Sequence, residues 1–370
     1  MVRELKKSEI PDFIDFGDRL YAQDANYTPY MRGDLKKTLH KLVFEDKTYR
    51  ALVSLDEAGA VQGRLLLTTG KSKQLKTEHC GYFSHLEVAE DIEVFRELMC
   101  AGEECVRSMG AEYLLGSFFK HDPDNRRGIL VSGYEYAPMI LTSHNLPYYG
   151  AFLERAGYSK LTDALEYEIR QDPKWRAKVE KVASASLRQY EMHVSKADLK
   201  NVDREIEDIH TVMKQASTEI NFEEVLPVSE LKKNFGEWKR FIDPEFVFIV
   251  RKNADDSPVG FSLSIPDYNE LIRKMKGRLD PKGLFAYLTQ RNKLRALRGV
   301  LQYVVPEYQM KGVIPILYNE TLKATDRHHI VRMTLGTIME NNHSSNSVVR
   351  SAGGELSRVY RLYYKDLRNP

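Results

Sequence analysis

The feature that most constrains this chain is one order of predicted elements that occurs twice. Alternating apolar residues predict a strand hairpin at residues 49–54 and 63–69, and a second hairpin at residues 246–251 and 259–265. Corresponding residues are 197 positions apart (260 − 63, 342 − 145 and 354 − 157) in three pairs: Gly63 with Gly260, Asn145 with Asn342, and Gly157 with Gly354. The constant offset indicates an internal duplication, so two similar units are expected.

In each half the hairpin is followed by a third strand, a helix, a fourth strand, a short helix and a closing strand. In the first half these are predicted at residues 81–88, 91–109, 113–119, 148–156 and 165–170. In the second half they are predicted at residues 299–305, 314–325, 331–339, 345–351 and from residue 361 onward. The pattern predicts an α/β fold of the α+β mixed-sheet kind, with domains at 1–171 and 191–370. A Lys-rich helical connector is expected at 172–190.

Composition limits the classes of protein to which the chain can belong. A length of 370 residues and a hydrophobic fraction of 42% are typical of a globular protein with two domains. The net charge of +2 gives no support to a broad nucleic-acid-binding surface, so no nucleic-acid partner is expected. No segment approaches the roughly 20 apolar residues of a membrane span, and no secretory leader pattern is present. A cytoplasmic protein is therefore expected.

Cysteine and histidine patterns give no metal site and no thiol nucleophile. Cys80, Cys100 and Cys105 form no C-x-x-C pair, and an odd number leaves one unpaired in any disulfide scheme. Free thiols in a reducing compartment are the simplest interpretation. The pair His328 and His329 would need further ligands to bind a metal, and a polar turn is the expected role.

Residues 300–318 carry a second informative pattern, a strand that leads through a turn into a helix. The apolar strand stops at Pro306, the turn contains Gly312, and Pro315 lies in the first helical turn, where a missing N–H costs little. Unpaired N–H groups and the positive end of the helix dipole favour an anion at this place, and glycine allows the backbone to come close. The segment therefore predicts a phosphate-binding turn.

The corresponding turn of the first half has the opposite charge. Its third strand runs into Glu90, Asp91 and Glu93, with no glycine in the turn. Carboxylates at this position would repel phosphate. Only the second half is therefore expected to bind a phosphorylated ligand.

With these elements the chain resembles the GNAT (GCN5-related N-acyltransferase) superfamily, used in tandem. The family pattern Arg/Gln-x-x-Gly-x-Gly/Ala is matched by Gln309-Met310-Lys311-Gly312-Val313-Ile314, with Ile314 in place of the final small residue. The resemblance implies two tandem domains, each a bent mixed sheet flanked by helices, of which only the C-terminal one binds acetyl-CoA or another acyl-CoA. The residues that it implies for this binding are Val304, Val305, Gln309, Met310, Lys311, Gly312, Val313 and Asn342.

The whole chain also resembles a group of largely uncharacterised bacterial proteins built from two GNAT-like halves. The shared stretches include R-L-Y-A-Q-D-A-N-Y-T-P-Y-M-R-G-D-L-K-K from Arg19, G-I-L-V-S-G-Y-E-Y-A-P-M-I from Gly128 and N-L-P-Y-Y from Asn145. Further shared stretches are D-P-E-F-V from Asp243, V-G-F-S-L-S-I-P-D-Y-N from Val259 and V-V-P-E-Y-Q-M-K-G-V from Val304. They span nearly the full length. The resemblance implies an acyltransferase fold without a defined substrate.

Acyl transfer from a thioester to an amine needs a base, because a free alkyl amine has a pKa of about 10. Glu340, after the predicted fourth strand of the second half, is the candidate base, although a solvated or capping glutamate fits the sequence as well. Asn342 could equally be a simple turn residue. The family's usual acid, a tyrosine on the last helix, is absent. His343 or Ser345 could replace it, but His343 also fits an exposed loop.

The candidate acceptor-binding residues lie in the first half. Tyr148 and Tyr149 could shape an acceptor site, and the alternative is aromatic packing in the core. Arg126 and Arg127, in the segment 121–127, could bind a carboxylate or phosphate, and the alternative is a solvated loop.

The sequence thus predicts an acyl-CoA-dependent N-acyltransferase without a metal, acting on a small-molecule amine or a lipid amine held between the halves. The alternatives are an aminoacyl-tRNA-dependent or long-chain acyltransferase, or a non-catalytic ligand-binding protein. A basic, amphipathic insertion at residues 267–294 could be a packed cover, could admit a lipid chain, or could make peripheral membrane contact. The oligomeric state is not predicted.

Overall fold

The computed structural model describes residues 1–119, 126–169, 172–216, 225–239 and 241–368. Contacts divide the chain into two compact units. Unit 1 contains residues 1–164, 269–291 and 358–370, and unit 2 contains residues 165–268 and 292–357. No helix in the described ranges has the length and apolar character needed to cross a membrane.

The elements of the first half follow the predicted order closely. An N-terminal strand and two helices precede the hairpin: β1 (Val2–Glu4), α1 (Ile10–Leu20) and α2 (Arg32–Leu39). The hairpin and the elements after it are β2 (Tyr49–Leu55), β3 (Val61–Ser72), β4 (Thr77–Val88), α3 (Ile92–Ser108), β5 (Tyr113–Gly116), β6 (Ile129–Ser132), α4 (Tyr149–Arg155) and β7 (Ser159–Ile169). The predicted fourth strand at 113–119 ends early, at Gly116.

The second half repeats this order, preceded by a 17-residue helix. Its elements are α5 (Pro173–Gln189), β8 (Met192–Lys196), α6 (Val202–Ala216), α7 (Val228–Trp238), β9 (Val247–Lys252), β10 (Pro258–Pro266), α8 (Asn269–Lys274), α9 (Pro281–Gln290), β11 (Ala296–Val304), α10 (Val313–Arg327), β12 (Arg332–Met339), α11 (His343–Ser351) and β13 (Gly354–Asp366). Each helix of the repeated order was predicted within a few residues of its observed bounds.

The two units share one strand topology. In unit 1, β1 to β4 pair antiparallel in sequence, and β4 then pairs parallel with β5. In unit 2, β8 to β11 pair antiparallel in sequence, and β11 then pairs parallel with β12. The parallel pair is joined by a crossover helix in each case, α3 in unit 1 and α10 in unit 2. The predicted α/β mixed-sheet fold is confirmed.

Strands β7 and β13 each contribute residues to both units. The C-terminal part of β13 belongs to unit 1, where Tyr363 pairs with Gly116 of β5 and Val359 with Ser132 of β6. The C-terminal part of β7 belongs to unit 2, where the Ser357 hydroxyl donates to the Glu166 carbonyl (3.1 Å). The structural boundary between the first unit and the second therefore lies at residue 164, inside a strand, whereas the expected boundary was at 171.

Two further segments belong to other units than the expected domain boundaries imply. Helix α5, expected as a connector, belongs to unit 2, where Val179 and Ala183 are buried and Trp175 packs on Tyr318 of α10. The insertion with α8 and α9 belongs to unit 1, where Asn269 donates to the Pro138 carbonyl (2.9 Å).

Each unit has its own hydrophobic core. In unit 1 one cluster lies between the sheet and helices α3 and α4, with Phe83, Leu98 and Tyr149 fully buried. A second cluster of unit 1 packs α1 and α2 around Phe13 and Leu39. Among the described residues of unit 2, one cluster joins α5, α6 and α10 to the sheet, with Phe261 and Leu317 fully buried. The cores fix the strands that carry the candidate site.

Candidate active site

Strand β11 diverges from β12 in the middle of unit 2. Their pairing ends at Gly299 and Leu335, so the last five residues of β11 run on without a partner in β12. On its other side β11 stays paired with β10, and the Val305 N–H donates to the Val259 carbonyl (3.0 Å). N–H groups alternate in direction along an antiparallel ladder. The N–H of Val304 therefore points to the side where β12 has separated.

The equivalent position of unit 1 has the same backbone geometry and a different environment. Pairing of β4 with β5 ends at Phe83 and Gly116, and the Ala89 N–H donates to the Gln62 carbonyl (3.1 Å). The N–H of Val88, which faces the separated side, donates to the Tyr149 hydroxyl (2.8 Å). No side chain within the described ranges accepts a hydrogen bond from the Val304 N–H, and α11 carries no tyrosine.

The turn after β11 leads into the N-terminus of α10, as the sequence predicted. Gly312 is the N-cap residue, with a φ of +76° that favours glycine. The N–H groups of the first helical turn have no acceptor within a helix, and Pro315 supplies none. Gln309 and Met310 are exposed, and Met310 is 95% exposed. The turn therefore presents backbone donors and two accessible side chains.

Charged side chains near this turn are mostly cationic. The Lys311 ammonium lies 4.2 Å from the centre of the Tyr308 ring and 3.5 Å from the Glu307 carboxylate. The Lys252 ammonium lies 5.7 Å from the Tyr308 ring. Glu307 is an acidic group in the same turn, so an incoming phosphate would compete with it for Lys311.

Ile314 stands where the family pattern has a small residue, but its side chain does not occupy the turn. Ile314 packs against the core cluster of unit 2, and its neighbour Val313 is fully buried. The first-turn N–H groups of Val313 and Ile314 remain as candidate phosphate donors. The turn fits a phosphorylated ligand, with fewer backbone donors than a turn without Pro315 would have.

In unit 1 the corresponding helix N-terminus is already occupied by a carboxylate. The Asp91 side chain caps α3 and accepts hydrogen bonds from the N–H groups of Glu93 (2.9 Å) and Val94 (3.2 Å). These are the donors that a phosphate would need. The acidic turn predicted from the sequence is thus a helix cap.

The segment after β12 is organised by a residue that the sequence did not single out. Asn346 is buried, and its amide donates to the carbonyls of Met339 (2.9 Å) and Asn342 (2.9 Å) and accepts from the Tyr167 hydroxyl (2.9 Å). Asn342 caps α11 by accepting from the Ser345 N–H (3.1 Å). Glu340 is half-buried at the end of β12.

His343 begins α11 and is exposed. The geometry thus brings Glu340, Asn342 and His343 into one short turn of unit 2.

The proposed acceptor residues lie in unit 1. The hydroxyls of Tyr148 (2.6 Å) and Tyr149 (3.1 Å) both donate to the Val88 carbonyl, and the two rings stack 4.7 Å apart. Tyr149 is fully buried, which agrees with the alternative role of aromatic packing in the core. The Arg126 guanidinium lies 4.2 Å from the centre of the Tyr30 ring, and Arg127 is half-buried. The segment 121–125 lies outside the described residues.

Comparison with solved structures decides the fold family. The chain matches a tandem GNAT protein from the clavulanic acid biosynthesis pathway with a TM-score of 0.60, covering 100% of this chain and 99% of that one at 12% identity. The chain has the GNAT fold, in tandem. The diverging strands and the turn before α10 are therefore parts of the C-terminal GNAT unit.

Two relatives align along almost the whole chain. Protein YghO of Escherichia coli (strain K12) is 25% identical over 386 residues, which covers 98% of this chain and 94% of the relative. The bacterial ceramide synthase of Caulobacter vibrioides (strain NA1000 / CB15N) is 25% identical over 380 residues, covering 97% and 95%. No family model matches the sequence.

The N-terminal GNAT unit contains a buried ionic pair that sequence analysis missed. The guanidinium of Arg64 on β3, which is 1% exposed, lies 2.6 Å from the Glu87 carboxylate on β4. Arg64 also donates to the Phe13 carbonyl of α1. A Cβ on Gly17 would lie 2.6 Å from that guanidinium, so glycine is needed where α1 crosses the pair. The sequence signal that could have indicated this close approach is Gly17, a glycine inside helix α1.

A chain of polar groups, buried at Arg358 and half-buried at Asp24 and His144, links three distant segments of this unit. The ring of His144 has its Nε2 2.7 Å from the Asp24 carboxylate and its Nδ1 3.1 Å from the Arg358 guanidinium of β13. Because arginine can only donate, Nδ1 accepts and Nε2–H donates to Asp24. Burial, with a contribution from Arg358, lowers the pKa of His144, although Asp24 opposes this. The histidine is therefore held in its neutral form.

Proposed function

We propose that this chain is an acyl-CoA-dependent N-acyltransferase whose donor site is in unit 2. The observation that carries the proposal is the N–H of Val304, which faces the side where β12 has diverged. When an amine attacks the thioester carbonyl, negative charge develops on the carbonyl oxygen. A fixed backbone donor stabilises such charge. The equivalent N–H of unit 1, that of Val88, already donates to the Tyr149 hydroxyl. This difference supports a single donor site, in unit 2.

The residues of the turn after β11 would hold the phosphates of the acyl donor. The N–H groups of Val313 and Ile314 and the ammonium of Lys311 supply positive potential at the start of α10. Gln309 and Met310 flank the turn, and Val305 anchors it to β10. Asn342, as the cap of α11, positions the turn on the opposite strand.

Two side chains of the turn after β12 would move the protons. Glu340 accepts a proton from the amine, directly or through water, as the nitrogen forms its bond to the acyl carbon. His343 gives a proton to the sulfur as the carbon–sulfur bond breaks. The reaction then balances, because amine and thioester become amide and thiol. Glu340 releases its proton to solvent and His343 takes one up from solvent, which restores both side chains.

The similarity to a ceramide synthase favours a long-chain amine as acceptor. By its name that relative forms a ceramide, which is an amide of a long-chain amino alcohol. The alignment covers 97% of this chain and so includes the diverging strands and both turns. We infer a lipid amine as the acceptor class, with short amines as the alternative.

The test is release of CoA thiol with paired donors and acceptors. Palmitoyl-CoA or acetyl-CoA would be combined with sphinganine or ethanolamine, and the amide product identified by mass spectrometry. We expect the fastest release with palmitoyl-CoA and sphinganine. Acylation of ethanolamine alone would overturn the lipid acceptor but keep the acyltransferase.

Binding is tested separately from turnover. Acyl-CoA at about 100 times its dissociation constant should raise the unfolding free energy by about 2.7 kcal/mol. No thermal stabilisation by palmitoyl-CoA, acetyl-CoA or CoA at millimolar concentration would overturn the donor site. Glu340→Gln should keep binding and lose turnover about 100-fold or more. The matched control is Glu180→Gln, an exposed position of α5.

A further inference from the structure

Helix α9 presents its apolar stripe to solvent. Its exposed side chains include Leu284 (43%), Phe285 (70%) and Leu288 (58%), and Leu279 just before the helix is 53% exposed. Positions 284, 285 and 288 lie on one face of a helix. The only residue of α9 that is buried is Gly283. An amphipathic helix normally turns this face to the core, so the orientation needs a partner.

The helix is held in this orientation by a firm attachment to unit 1. Leu271 of α8 is 1% exposed, and the Arg273 guanidinium donates to the Thr28 hydroxyl (2.9 Å). The Arg32 N–H donates to the Gly277 carbonyl (2.8 Å). A Cβ on Gly277 would lie 2.2 Å from the Tyr30 carbonyl, so the two backbones touch here. The outward face of α9 is therefore built on an anchored segment.

The surface around this stripe is strongly basic. Exposed cations of the α8–α9 segment are Lys274, Lys276, Arg278, Lys282, Arg291 and Lys293. The two acidic residues of the segment are already engaged, since Glu270 pairs with Lys274 (2.7 Å) and Asp280 caps α9 (2.8 Å). Across the described ranges Lys276, Lys282 and Lys293 make no ion pair.

We propose that α9 docks on the surface of an anionic lipid membrane. Its apolar side chains enter the boundary between headgroups and acyl chains, and the surrounding lysines face lipid phosphates. Two copies of this chain would bring two cationic faces together, which opposes self-association through α9. The proposal is independent of the proposed catalytic site.

Vesicle co-sedimentation tests the proposal with the full chain. The probes are vesicles of phosphatidylethanolamine and phosphatidylglycerol, compared with phosphatidylcholine alone. We expect binding to the anionic vesicles that falls at least tenfold in 0.5 M NaCl. Equal binding to both vesicle types, or binding to neither, would overturn the proposal.

Two sets of variants separate the apolar and the electrostatic contributions. L284S/F285S/L288S and K276E/K282E should each weaken binding to anionic vesicles at least tenfold. The control is Val331→Ser, a 73% exposed apolar residue of unit 2, which should bind as the wild type does. Circular dichroism checks folding. The proposal is contradicted if the triple variant binds vesicles as the wild type does. It is also contradicted if the wild type binds no vesicles and the triple substitution converts a dimer into a monomer.

Discussion

The hydroxyl of Ser186 lies where the first side-chain carbon of residue 312 would be. A Cβ built on Gly312 would come within 2.0 Å of the Ser186 Oγ, because α5 crosses the start of α10 at this point. Gly312 also has a positive φ of 76°. The glycine that marks the phosphate-binding pattern is thus required for packing as well as for any ligand.

We therefore expect Gly312→Ala to lower the free energy of unfolding by about 2 kcal/mol or more, with or without acyl-CoA. Part of the loss should be recovered in the double variant with Ser186→Ala, which removes the clashing hydroxyl. Urea unfolding of the four proteins gives the coupling energy. Additive effects would contradict the clash.

Charge variants of the turn test the ligand without this packing problem. Lys311→Glu should weaken acyl-CoA binding about tenfold or more, since it removes a cation and adds a repulsive carboxylate. Glu307→Gln should strengthen binding, because it frees Lys311 from its ion pair. Calorimetry measures both. Lys323→Glu, exposed further along α10, is the control and should change little.

The proposed oxyanion donor can be removed by a single substitution. Val304→Pro deletes the N–H that faces the diverging strand and breaks no ladder bond with β10. Turnover should fall about 100-fold or more. Val304→Ala keeps the N–H and loses only packing, so it should retain most of the activity. If both variants lose activity equally, the backbone donor has no special role.

Asn346 should matter more for stability than Asn342. Asn346→Ala removes hydrogen bonds to the buried Met339 carbonyl, to the Asn342 carbonyl and to the Tyr167 hydroxyl, which should cost about 2–3 kcal/mol. Asn342→Ala removes one helix cap and should cost about 1 kcal/mol. Urea unfolding compares the two. The opposite ranking would show that the turn after β12 is not organised by Asn346.

Acid should destabilise the protein through His85, which is buried, and His144, which is half-buried. Burial lowers the pKa of His85 and His144, so both are neutral in the folded protein, whereas in the unfolded chain they bind protons below about pH 6.5. Their stability contribution is complete above that pH and is lost as the pH falls, by up to about 1.4 kcal/mol per pH unit and histidine.

The measurement is urea unfolding between pH 7.5 and 5.5. His85→Gln should reduce the loss, and His343→Gln, at an exposed position, should follow the wild type. A His85→Gln protein with an unchanged pH dependence would contradict this assignment.

Local periodicity was sufficient to predict the repeated helices and strands. The α10 turn was predictable because Pro306, Gly312 and Pro315 each act on their own backbone. Asp91 was predicted to repel phosphate, and the structure adds that its side chain caps helix α3.

The remaining features depend on contacts between residues far apart in sequence. Arg64 and Glu87 appear in the sequence as ordinary alternating strand positions, and only the fold shows that both are buried against Gly17. Asp24, His144 and Arg358 are separated by more than 100 residues at each step. The outward stripe of α9 also depends on how α8 is anchored, so a helical period alone could not indicate it.

The contribution of β13 to unit 1 has a consequence during synthesis. Residues 1–164 leave the ribosome early, but the strand that pairs with β5 through Tyr363 is made almost 200 residues later. At about 5–20 residues per second this delay is roughly 10–40 s. Throughout that interval an edge of β5 awaits its partner, and such an edge is prone to pair with other chains. Production of this protein should therefore benefit from slow expression at low temperature and from chaperones that shield nascent sheets.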